Sequence, residues 1–149
     1  MTASLASIAD CRTWLDRVEK ARQTRTTGAW PPGTVLDHLA QSVEMSMDGY
    51  PQPRGALFQS TAGRAAFEVF RWRGRMNHGL AEPIPGAPPL AVGADWQVPA
   101  QRLRAALARF DAYNGPLRPH FAYGALTKPE YAIAHAMHVG NHAEEFVLG

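Results

Sequence analysis

The chain has 149 residues, of which 46% are hydrophobic and 19% charged, and it contains a single cysteine. That length predicts one domain over residues 1–149, and no apolar run approaches the ~20 residues that a membrane-spanning helix needs. The formal net charge of +2 without a dense basic stretch disfavours nucleic acid as a partner, and the missing signal-peptide pattern predicts a cytoplasmic location.

Helices are predicted in chain order, beginning with residues 4–23, where apolar side chains recur at steps of three and four. The second helix, residues 31–47, starts on two prolines, which the first turn of a helix tolerates. The third covers about residues 60–78. Residues 79–99 then carry five prolines and predict a long irregular loop that is able to wall a pocket.

The fourth helix is predicted over residues 100–113, and the fifth runs from Thr127 to the C-terminus. Thr127 and Glu130 have the spacing of a capping box, in which each side chain bonds the backbone N–H of the other residue. No segment alternates between apolar and polar residues with a period of two. Five helical segments without strands predict an all-α bundle.

Three of the six histidines fall within eight residues of the fifth helix: His135, His138 and His142. At 100° per residue they lie within about 60° of one another, on the face that carries Tyr131. His138 and His142 are one turn apart, so both imidazoles can reach a single ion. The residues between them include no glutamate, which excludes the H-E-x-x-H motif of metalloproteases.

A third metal ligand has to come from another helix, and His38 is the leading candidate. It lies beside the apolar stripe of the second helix, where a lone histidine is more often exposed. The alternative is that the inward histidines of the last helix are neutral core residues, each with its own hydrogen-bond partner. A shared ion would satisfy all of them at once. Three histidines leave a coordination position open, and imidazole suits zinc, nickel and iron.

Four segments in the same order give the chain a family resemblance: residues 31–51, 83–90, 119–131 and 138–146. Together they resemble the DinB-like or YfiT-like superfamily of metal-dependent hydrolases over nearly the whole chain. The resemblance implies a four-helix bundle with an additional short helix and long proline-rich loops, commonly assembled as a homodimer. It also implies a divalent metal on one histidine of the second helix and two of the last, which match His38, His138 and His142.

The same resemblance implies a small-molecule substrate and, in some relatives, a low-molecular-weight thiol cosubstrate. This chain departs from it at Glu144-Glu145, where relatives carry basic or amide residues. His135 and His120 are the candidate substrate-binding residues; the alternative for His120 is a loop residue that supports its aromatic neighbours. The predicted function is a metal-dependent hydrolase or thiol transferase. A non-catalytic metal- or ligand-binding protein and a purely structural bundle remain as alternatives.

Overall fold

A computed structural model describes residues 5–76 and 79–149 of the chain, which are mostly helical with a small two-stranded sheet. The helices are α1 (Ile8–Lys20), α2 (Pro32–Asp48), α3 (Ala56–Phe58), α4 (Arg64–Arg73), α5 (Gln97–Ala112) and α6 (Lys128–Ala143). A π-helical turn, Gln59–Gly63, joins α3 to α4, and the strands are β1 (Thr24–Thr26) and β2 (Phe146–Leu148). None of the helices in these residues combines the length and apolarity that a bilayer crossing demands.

The four long helices α1, α2, α5 and α6 pack side by side, α2 against α5 and α6, and α1 against the same two helices. Each brings an apolar face to a shared core, because residues three and four apart lie on one side of a helix. The fully buried core side chains include Leu15, Val18, Leu36, Leu39, Leu103, Leu107, Phe110 and Tyr131.

Helix α2 is buried on nearly every side, which the apolar stripe in its sequence does not reveal. The loop after α4 covers its polar side through three hydrogen bonds. Thr34 donates its hydroxyl to the carbonyl of Ala91 (2.7 Å), and Asp37 accepts from the N–H of that residue (2.8 Å). Gln41 donates to the carbonyl of Pro88 (3.0 Å). His38, which the sequence places beside the apolar stripe, is only 4% exposed.

The predicted helix boundaries differ from the observed ones at several ends; α1, for example, ends at Lys20 and not at residue 23. Helix α4 stops at Gly74, whose φ of 73° lies in the left-handed region that favours glycine, whereas the prediction continued the helix to residue 78. Residues 77 and 78, and residue 4 at the predicted start of the first helix, lie outside the described residues. The fourth predicted helix begins earlier than expected, at Gln97, whose backbone N–H donates to Oδ1 of Asp95 (2.8 Å).

The prediction of an all-α chain is wrong at the C-terminal end. Helix α6 stops at Ala143, and residues 146–148 form β2, which pairs antiparallel with β1. Phe146 and Leu148 are half-buried against the core, and Phe146 meets Trp14 edge-on at 5.1 Å between ring centroids. Three residues are too few for an alternating pattern to be recognised in a sequence.

Candidate metal centre and adjoining cavity

His38 of α2 and His138 and His142 of α6 meet in the interior. Their candidate ligand atoms all lie within 4.8 Å of one another. The Nε2 atoms of His38 and His138 are 3.1 Å apart, and the three pairs of ring centroids are separated by 5.0–5.2 Å. The capping box predicted at the start of α6 is present, and it fixes the beginning of the helix that carries two of these residues. The structure therefore brings together the three residues that the sequence singled out.

The spacing of the His38 and His138 nitrogens fits a shared ion. Two imidazole nitrogens that each lie ~2.0–2.1 Å from one ion are about 3.3 Å apart at a tetrahedral angle and about 2.9 Å apart at a right angle. The observed 3.1 Å between His38 and His138 lies between these values. A hydrogen bond between the two rings would account for that pair but not for His142. Its Nε2 is buried and has no hydrogen-bond partner among the described residues.

His142 is held in place by Glu145, a residue that the sequence reasoning missed. The Nδ1 of His142 lies 3.0 Å from Oε2 of Glu145, and both side chains are 1% exposed. A carboxylate that accepts from Nδ1–H leaves the lone pair on Nε2, the arrangement found for many metal-binding histidines. The spacing His-x-x-Glu in residues 142–145 was the available signal.

The chain after α6 positions Glu145 through its backbone and through a glycine. The N–H of Glu145 donates to the carbonyl of His142 (3.1 Å), and its own carbonyl accepts from the N–H of Thr27 (2.9 Å). A Cβ atom on Gly28 would lie 2.7 Å from Oε1 of Glu145. The pairing of β1 with β2 thus holds the Glu145 carboxylate beside Gly28, where a side chain would compete for the same space.

A cavity of about 150 Å³ adjoins the histidines, and His38 and His138 form part of its wall. Glu82 and residues 83–85, from the loop after α4, also line it, which confirms that this loop walls a pocket. Among the residues that the structure describes, the arginine on the wall is Arg54, in the chain segment before α3. Two arginines near the end of α4 are engaged in ion pairs: Arg71 pairs with Glu68 and Glu130, and Arg75 with Glu144.

His120 lines the cavity and is fixed by its own loop. Its Nδ1 accepts from the backbone N–H groups of Ala122 and Tyr123, both at 3.1 Å. Its ring stacks on that of Tyr123 at 4.2 Å and 10°, and on that of Phe121 at 4.7 Å. Because Nδ1 accepts two hydrogen bonds, neutral His120 carries its proton on Nε2. His120 therefore both supports its aromatic neighbours and presents a donor of fixed tautomer.

His135 also lines the cavity, but its contacts are those of a neutral core histidine. It stacks on Tyr131 and meets Phe110 edge-on. The hydroxyl of Ser46 donates to the carbonyl of Val43 (2.6 Å), so its oxygen accepts from Nε2 of His135 (3.1 Å). Burial lowers the pKa of His135 to about 3. Its imidazole is therefore uncharged and a poor proton acceptor at neutral pH.

Comparison with known proteins gives one match. A family model described as "Protein of unknown function (DUF1569)" matches residues 5–148. No curated protein and no solved structure matches the chain. The predicted assignment to the DinB-like or YfiT-like hydrolase superfamily is therefore wrong as stated. The model that covers nearly the whole chain is that of an uncharacterised family, and it carries no hydrolase or transferase activity over to this chain.

Proposed function

This chain belongs to the DUF1569 family, whose function is unknown, and we propose from its own geometry that it is a metal-dependent enzyme acting on a small molecule. In this proposal His38, His138 and His142 hold one divalent ion. The observation that carries the proposal is the buried Nε2 of His142, which Glu145 orients from the other side of the ring and which has no hydrogen-bond partner among the described residues. Leaving such an atom unsatisfied costs ~1–3 kcal/mol.

The open side of the site supports a chemical role rather than a structural one. Structural zinc sites are usually closed by four protein ligands, whereas catalytic sites use three and keep one position for water or substrate. Within the described residues the metal-site cluster contains three histidines and no carboxylate or cysteine. Two of the three, His38 and His138, face the cavity, so a ligand in the cavity has access to the ion.

A bound divalent ion would supply Lewis acidity, which lowers the pKa of a bound water or thiol and polarises a carbonyl group. The chain itself contributes the orientation of His142 by Glu145 and a fixed donor, His120, on the cavity wall. Glu82 brings a carboxylate to the same cavity and is our candidate for accepting a proton from substrate or water. Both hydrolysis and thiol transfer are compatible with this arrangement, and zinc, nickel and iron all suit imidazole ligands.

The alternative is a protein that binds a metal or small ligand without turnover, because the same histidines and cavity would serve it. We further propose that α1, α2, α5 and α6 form a four-helix bundle, with the shorter α3–α4 segment outside it. The homodimer stays a prediction, which the solution molecular mass tests directly.

Metal stoichiometry is the experiment that tests the site. Purified protein is stripped with a chelator, dialysed separately against zinc, nickel and anaerobic iron(II), and analysed for bound metal. We expect one ion per chain in the wild type and in Glu144→Gln, an exposed neighbour that serves as the control. We expect His138→Ala and His142→Gln to hold far less. Equal metal content in wild type and both histidine variants would refute the site.

Turnover then separates the enzyme from the binding protein. Metal-loaded wild type is compared with His38→Ala across a panel of esters, amides and electrophiles offered with small thiols. Activity that depends on His38 supports an enzyme. A fully metallated wild type that turns over none of these compounds favours the binding protein.

A further inference from the structure

We propose that the molecule bound in the cavity carries an oxyanion, either a carboxylate or a phosphate, and that Arg54 and His120 bind it. This inference rests on the proposed function and names its substrate class. The cavity has about the volume that accommodates a molecule of the size of benzene, so the part of the ligand that lies inside it is small. Its charged end is therefore a large part of what the protein can recognise.

Arg54 is placed to recognise an anion. It is an exposed residue of the cavity wall, and its guanidinium lies over the ring of Phe58, 5.1 Å from the ring centroid. Among residues 5–76 and 79–149, no carboxylate forms an ion pair with it, whereas Arg64 and Arg102 each pair with two carboxylates. A guanidinium presents two parallel N–H groups that match a carboxylate or phosphate edge.

Arg54 and His120 belong to the same part of the wall. The backbone N–H of Arg54 donates to the carbonyl of Phe121, the residue after His120, at 2.8 Å. His120 is 8% exposed and lies between aromatic rings, and its neutral form carries its proton on Nε2. A cation and a neutral donor on adjoining segments are a suitable pair for an oxyanion, because the charge attracts it and the donor fixes its orientation.

Among the described residues, the carboxylate on the cavity wall is that of Glu82, on the loop after α4. It disfavours an oxyanion beside the loop and so favours one beside Arg54. A divalent ion on three neutral histidines also attracts anions, and an anion could bind the metal instead. The experiment therefore begins with metal-free protein, in which that second mode is absent.

Inorganic phosphate and acetate are the probes, each titrated into metal-free ¹⁵N-labelled protein at constant ionic strength. We expect the Arg54 side-chain and His120 imidazole signals to shift in a saturable way. We expect Arg54→Gln to weaken binding at least about tenfold, as for loss of a charge-assisted hydrogen bond. Arg73→Gln, an exposed arginine at the end of α4, is the matched control and should bind like the wild type. The tighter of the two probes identifies the oxyanion.

Equal binding in wild type and Arg54→Gln, or no saturable shift at His120 with either anion, would overturn the proposal. A second titration separates the anion site from the proposed function. It uses zinc-loaded protein and imidazole, a neutral molecule that binds metal. Imidazole binding should not depend on Arg54. If the protein binds no metal but Arg54-dependent anion binding persists, the proposed function fails and the anion site stands.

Discussion

Replacement of Glu145 by glutamine should lower metal affinity without destabilising the metal-free protein. Glutamine has the size of glutamate, and its carbonyl can still accept from Nδ1 of His142, but the negative charge that strengthens the imidazole as a metal ligand is lost. Loss of such a partner typically weakens metal binding 10–100-fold, or about 1.4–2.7 kcal/mol. Because both side chains are 1% exposed, water cannot replace the lost charge. We expect about tenfold for Glu145→Gln and nearer a hundredfold for Glu145→Ala.

The metal-free protein should respond in the opposite direction. Glu145 is a buried carboxylate, and its Oε1 has no hydrogen-bond partner among the described residues. Burying a charge without full hydrogen bonding is unfavourable, so a neutral amide of equal size should leave the free energy of unfolding unchanged or raise it. A residue kept only for stability would show the reverse pattern.

Two measurements decide this prediction. Zinc affinity is obtained by competition with a chromophoric chelator, and stability by urea denaturation in the presence of EDTA. Glu144→Gln is the control, since Glu144 is 48% exposed and pairs with Arg75 at the surface. Wild-type zinc affinity in both Glu145→Gln and Glu145→Ala would show that Glu145 does not support His142. Lower stability with unchanged affinity would make Glu145 a purely structural residue.

Three further results are expected. Burial lowers the pKa of His135 to about 3, so below about pH 6.5 the unfolded chain takes up a proton at this residue and the folded chain does not. Between pH 7.5 and pH 5, in EDTA, the free energy of unfolding should therefore fall by about 2 kcal/mol more in the wild type than in His135→Phe. Equal losses in the two proteins would contradict this. Asp37→Ala should lower the free energy of unfolding, measured by urea denaturation, by ~2–3 kcal/mol, because it leaves the N–H of Ala91 unpaired and removes the buried partner of Arg102. A change near zero would show that Asp37 does not anchor the loop after α4. Zinc at about 100 times its dissociation constant should raise the free energy of unfolding by about 2.7 kcal/mol in the wild type and leave that of His138→Ala unchanged. Thermal unfolding of each protein with zinc and with EDTA tests this difference.

The last helix shows what sequence could predict here. A capping box and sixteen residues of helix fix the directions of its side chains, so the convergence of His138 and His142 followed from spacing alone. The position of His38 did not follow from its own helix. The side of α2 that carries His38 is covered by α6 and by the loop after α4. Helical periodicity describes one helix and does not predict contacts between segments that are distant in the sequence.

Glu145 escaped prediction for a related reason. The expected helix continued past Ala143, and along a continued helix the direction of residue 145 differs from the one that the turn into β2 gives it. Arg54 was overlooked because it lies in a short irregular segment with no periodicity. In both cases the chain direction is set by backbone hydrogen bonds to distant residues, Thr27 and Phe121, rather than by local pattern.

The separation of the candidate ligands along the chain has a consequence for how the molecule opens. His38 and His138 are 100 residues apart, so a bound ion would cross-link α2 to α6 across most of the polypeptide. Local opening of either helix would then break coordination bonds, and amide hydrogens in both helices should exchange with solvent at one common, slower rate once metal is added. Helix α4, which contributes no candidate ligand and carries the 86% exposed Trp72, would keep its own exchange rate. Bound metal would thus make α2 and α6 open as a single cooperative unit and leave the opening of α4 unchanged.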